Sequence, residues 1–153
     1  MTTPSQRLAA LGLTLPPVAP PQAAYVPPVR TGNHVYVSGQ LPLADGKLQA
    51  SGKVGDTVSA EEAASLARLC ALNGLAAAAS VAGGLDAIRR IVKVTGFVAS
   101  APSFTGQPAV VNGASEFLLE VFGEAGRHAR SAVGMAVLPL DTPVEVELIV
   151  EVA

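Results

Sequence analysis

The run Arg127-His128-Ala129-Arg130-Ser131 holds the densest chemistry in the chain. A guanidinium is planar and permanently charged, and its fork of donors fits a carboxylate through two hydrogen bonds. Further on, Val144 to Val152 carries Glu145, Glu147 and Glu151. The two-residue period of a strand puts Val144, Val146, Leu148, Val150 and Val152 on one face. Glu145, Glu147, Ile149 and Glu151 fall on the other. The alternation alone favours a solvent-facing acidic side. Chemistry requires one glutamate to face a pocket, with Arg130, expected at the start of the adjacent strand, as its charge partner.

Other chemistries find no residues to carry them. His34 and His128 lie far apart, with no carboxylate or cysteine at ligand spacing, and no H-E-x-x-H occurs, so no metal is expected. Neither glycine-rich nucleotide motif is present. Gly113-Ala114-Ser115-Glu116-Phe117 matches a nucleophile elbow for three residues but lacks the closing glycine and falls inside an expected helix. Cys70 sits among Ala and Leu and reads as a small core side chain. As the only cysteine it rules out an intrachain disulfide, a usage that fits a cytoplasmic setting.

Composition narrows the field again. The 153 residues make one domain, half of them hydrophobic and 14% charged. Ten basic against twelve acidic residues give a net charge of −2, without the basic excess of a nucleic-acid binder. The apolar stretch from Leu69 to Leu85 is interrupted by Asn73 and glycines and falls short of the ~20 residues a membrane span needs. Arg7 with Leu8 to Leu15 imitates a signal peptide only loosely, and the favoured reading is a short amphipathic helix with Leu8, Leu11 and Leu15 on one side, packing onto the domain.

These elements must position the chemistry. Seven of the twelve prolines fall in the first 28 residues, which reads as an extended arm, residues 1–28. His34 to Ser38 alternates as a strand ending at Gly39, and Asp45-Gly46 signals a hairpin with a second strand after it. Ser59-Ala60-Glu61-Glu62 is a capping box opening a helix from Ala60 to about Ala82, which Gly83-Gly84 ends. Ile91 to Ala99 is a strand, and a second helix starts near Pro108. Ser131 to Leu138 and Val144 to Val152 are the last strands. The order is ββ-α-β-α-ββ, an α+β layer with two helices on one face of a sheet.

Ala129-Arg130-Ser131-Ala132-Val133-Gly134, then Leu138-Pro139 and Val144-Glu145-Val146-Glu147, resembles the C-terminal pattern of the Rid (YjgF-type) family of imine deaminases. Gly32-Asn33 with Val37 to Pro42 resembles its N-terminal pattern, and the likeness spans Tyr25 to Val152. The resemblance implies a chorismate-mutase-like α+β fold, assembled as a homotrimer with pockets between subunits. It implies hydrolysis of enamines and 2-imino acids to 2-oxo acids and ammonia, without a cofactor. Arg130 would clamp the substrate carboxylate and Glu145 would activate water. Tyr25, Ser38, Gly39, Asn112 and Ala132 would line the pocket. Ala132 replaces the family's frequent cysteine, so only its backbone carbonyl could serve there. Ala23-Ala24 replaces the usual Gly-Pro before the tyrosine. Alternatives are a non-catalytic trimer binding small carboxylates, or an endoribonuclease, against which the net acidity argues.

Overall fold

Strong local signals fix the two long helices. In the computed structural model, which describes residues 1–21 and 23–153, helix α2 runs Ala60–Ala82 and begins where the Ser59 hydroxyl accepts from the Glu62 N–H. That is the serine half of the expected capping box. It ends at Gly83, whose φ of 96° is the left-handed conformation glycine adopts freely. Helix α3, Gln107–Phe122, carries Pro108 in its first turn. A Cβ on Gly113 would strike the backbone carbonyl of Ala64, so α2 and α3 touch backbone to backbone at that point.

A five-stranded sheet lies under these helices. Its strands are β1 (Pro28–Thr31), β2 (His34–Gln40), β5 (Ile88–Ala99), β6 (Ala129–Met135) and β7 (Val144–Val152), in spatial order β1-β2-β7-β5-β6. β5 and β6 are parallel and joined through α3; the other pairs are antiparallel. The even-numbered residues of β7 are buried, as the alternation requires, and Leu148 packs against Gly74 of α2. The core therefore fills one side of the sheet. α2, long and apolar enough to cross a bilayer, is mostly buried in that core.

Three expectations are corrected. The N-terminal 28 residues are not uniformly extended: a helix, α1, occupies Pro4–Ala10, capped by a reciprocal Thr3–Gln6 box, with Leu8 buried in the core. Proline at its first turn does not oppose a helix, because that N–H has no helical partner anyway. Gln22 of the expected arm lies outside the described residues. The Asp45-Gly46 hairpin forms, but as two-residue strands β3 (Leu43–Ala44) and β4 (Lys47–Leu48) outside the main sheet. The strand that pairs with β2 from its own hairpin is β1, turned at Gly32-Asn33. Finally, the strand of Arg130 is not adjacent to that of Glu145, since β5 lies between β6 and β7.

Candidate functional site

The expected site residues fall into two groups, on opposite faces of the sheet. Arg130 pairs in register with Val94, which is buried beneath the helices, so both point to the helical side. From the sheet edge its guanidinium reaches α3, where Nη1 donates to Asn112 Oδ1 at 2.7 Å and to Ser115 Oγ at 3.3 Å. No described residue takes a hydrogen from Nε or Nη2. Ala132, two residues on, shares this face and packs against the core. The first group is thus Arg130, Asn112 and Ala132 at the β6–α3 edge.

Glu145 pairs in register with Phe97 and lies on the helix-free face. Its neighbour across β2 is Gly39, at an irregularity in the β2–β7 register. A Cβ on Gly39 would overlap the Glu145 carboxylate, so the missing side chain makes room for the acid. Ser38 donates from Oγ to the Val26 carbonyl at 3.1 Å, and its N–H donates to Pro27. These bonds fix the strand entrance next to Tyr25, which is exposed. Ser38, Gly39 and Glu145 form the second group, with Tyr25 three residues before β1.

The two groups do not meet inside one protomer. Arg130 is level with Leu148 and Glu145 with Val133, three residues along and two strands across. At ~4.8 Å per strand and ~3.3 Å per residue, the backbones are about 14 Å apart, with the side chains on opposite faces. The expected Arg130–Glu145 charge pair is therefore absent from the single chain.

Electrostatics distinguishes the acids. Burial, then the nearby Glu147 carboxylate, raises Glu145 above the ordinary carboxylate value. Glu147 lines a depression on the helix-free face with Tyr36, Ser38, Lys93, Thr95 and Ile149, which neither Arg130 nor Glu145 lines. Cys70 is wholly buried and its thiol is pushed well up, first by burial and then by Glu145, so it is inert. Among the described residues, no cluster of three metal-ligating side chains occurs.

Two residues beside Arg130, Ser115 and His128, read in the sequence only as a partial nucleophile elbow and as a candidate metal ligand, not as neighbours of the guanidinium. Ser115 Oγ lies 2.9 Å from His128 Nε2, and His128 Nδ1 lies 2.6 Å from the Gly126 carbonyl. Spacing could have revealed them: Ser115 follows Asn112 by three residues on a helix, and His128 precedes Arg130 by two at a strand start.

Residues 5–152 match the family described as "YjgF/chorismate mutase-like, putative endoribonuclease". Protein TCP17 of Trypanosoma cruzi is 46% identical over 145 residues, covering 94% of this chain and 91% of that protein. The structure of Atu1372 from Agrobacterium tumefaciens, of unknown function, superposes with a TM-score of 0.90 at 49% identity, over 98% of this chain and 92% of that one. E. coli TdcF with bound serine superposes with a TM-score of 0.66 at 25% identity, over 89% and 94%.

Proposed function

This chain belongs to the YjgF/chorismate mutase-like family, and from that premise we propose that it hydrolyses reactive enamines and 2-imino acids to 2-oxo acids and ammonia, without a cofactor. The observation that carries this reading is the state of Arg130. Its guanidinium is held through Nη1 alone, which leaves the Nε–Nη2 edge to receive a small carboxylate through two hydrogen bonds. The serine bound in TdcF also presents a small carboxylate.

The site is completed between subunits. The face that carries Glu145 is bare of helices and exposes Val29, Tyr36, Val133 and Met135. Apolar surface of this kind is what an oligomer covers. A homotrimer, closed by three-fold symmetry, repeats one heterologous contact three times. Each contact sets the Glu145 group of one protomer against the Arg130 group of its neighbour. The two sheet faces that keep these groups apart within a protomer are what allow them to meet across an interface.

Chemistry follows from that meeting. Arg130 fixes the carboxylate and so holds the adjacent C2 in place, a proximity effect. Water attacks C2 while the Glu145 carboxylate accepts its proton, a contribution typically of ~10²–10⁴-fold. The proton passes to nitrogen to give the carbinolamine, and as its C–N bond breaks the hydroxyl proton follows to nitrogen through Glu145, so that ammonia leaves and the 2-oxo acid remains. An enamine enters the same course after protonation at its β-carbon. The neutral product carbon no longer holds the nitrogen, and only the Arg130 contact delays release.

A serine or threonine dehydratase supplies the unstable enamine in a coupled assay that follows its decay to the 2-oxo acid. The protein is expected to accelerate that decay. An unchanged rate with retained pyruvate binding would overturn the enzyme reading in favour of a carboxylate-binding module. An unchanged rate together with RNA cleavage that follows the protein through purification would overturn it in favour of a nuclease.

A further inference from the structure

We propose that Ser115 and His128 are positioning residues that aim the Arg130 guanidinium at the substrate carboxylate. The inference rests on the role proposed for Arg130 and adds what makes its fork rigid. The Gly126 carbonyl can only accept, so the 2.6 Å contact puts the His128 proton on Nδ1. Nε2 then carries a lone pair, and the Ser115 hydroxyl, 2.9 Å away, must donate to it. That donation turns the remaining lone pairs of Ser115 Oγ toward Arg130 Nη1 at 3.3 Å. Every bond in the chain from Arg130 through Ser115 and His128 to Gly126 therefore has one possible direction. Burial favours the neutral imidazole, and the Arg130 charge adds to it.

Rigidity needs this second acceptor. With Asn112 Oδ1 alone at 2.7 Å, the guanidinium could swing about a single bond. Asn112 and Ser115 stand three residues apart on one face of α3 and hold Nη1 from two directions. The plane of the fork is then fixed, and with it the direction of the Nε–Nη2 edge. A side chain with the rotamer freedom of arginine binds more tightly when that freedom is lost before the ligand arrives.

Calorimetric titration of pyruvate, with kcat and KM from the coupled assay, tests this in Arg130→Ala, Ser115→Ala, His128→Ala, the Ser115→Ala/His128→Ala double variant and Ser115→Thr. Arg130→Ala should lose pyruvate binding. Each alanine at 115 or 128 should weaken it about three- to tenfold, the size of one hydrogen bond, raising KM with kcat little changed. The double variant should be no worse than the weaker single, because the pair acts as one chain, and threonine at 115 should restore affinity. His128→Gln stands in if an alanine variant fails to fold. Wild-type affinity in the Ser115 and His128 variants, alongside lost binding in Arg130→Ala, would overturn the positioning role alone. Wild-type affinity in a folded Arg130→Ala would overturn the reading of Arg130 itself.

Discussion

At position 130, lysine keeps the charge of arginine and loses its shape. An ammonium is a point charge that cannot span both oxygens of a carboxylate. Arg130→Ala should therefore cut kcat/KM at least tenfold for each charge-assisted bond lost, at roughly 1.5–3 kcal/mol per bond, and Arg130→Lys by less. Glu145 gives a prediction of a different sign. Its carboxyl is raised above the ordinary value by burial and then by Glu147, so the folded chain binds that proton more tightly than the unfolded one. Its favourable contribution is present below the ordinary value and lost as pH rises through the raised one. Measured on the dissociated protomer, where no neighbour's Arg130 opposes the shift, Glu145→Gln should thus melt higher than wild type at neutral pH, with the advantage gone near pH ~4. In the trimer the same change should abolish imine hydrolysis. Partial exposure keeps the effect modest. A variant that melts lower at neutral pH would show that the ionised acid stabilises the fold. Arg130 was legible as a fork at a strand start. Glu145 was not separable from Glu147 and Glu151 by periodicity, and only the family pattern selects it.

Elements decide whether these residues can act. Gly39 leaves the space that the Glu145 side chain fills, so Gly39→Ala should displace the carboxylate and lower kcat more than thermal stability. Gly113 works between the helices, where α3 meets the Ala64 carbonyl. Gly113→Ala forces the helices apart and should cost ~1–3 kcal/mol, read as a drop in Tm of a few degrees with the helical signal retained. Unaltered melting would mean that the two helices do not meet backbone to backbone at Gly113 and Ala64. α2 and β7 were readable to the residue because a serine cap, a glycine stop and strict alternation are local signals. Strand neighbours are not local. Arg130 and Glu145 sit on strands consecutive in sequence, joined by a short connection, yet β5 intervenes because β6 pairs parallel to it through α3. The helix at Pro4–Ala10 was half-legible: proline density argued for extension, the leucines from Leu8 argued for a short amphipathic helix, and the Thr3–Gln6 box with burial of Leu8 settled the matter.

At the scale of the whole molecule, the proposed chemistry requires Arg130 and Glu145 to serve the same substrate from different protomers. Light scattering at micromolar concentration should give three times the 15.4 kDa chain mass, and Val133→Asp on the bare face should break that assembly and the activity together. The more direct measurement is complementation. Arg130→Ala and Glu145→Gln trimers, each inactive alone, are co-refolded in equal amounts, and mixed trimers are isolated by differential tags. A pocket built across two protomers is intact wherever a Glu145→Gln chain supplies Arg130 and a neighbouring Arg130→Ala chain supplies Glu145. Every mixed trimer then holds one intact pocket of three, so the isolated mixed trimers should return about a third of wild-type activity. Mixed trimers with no more activity than their inactive parents would contradict the shared site.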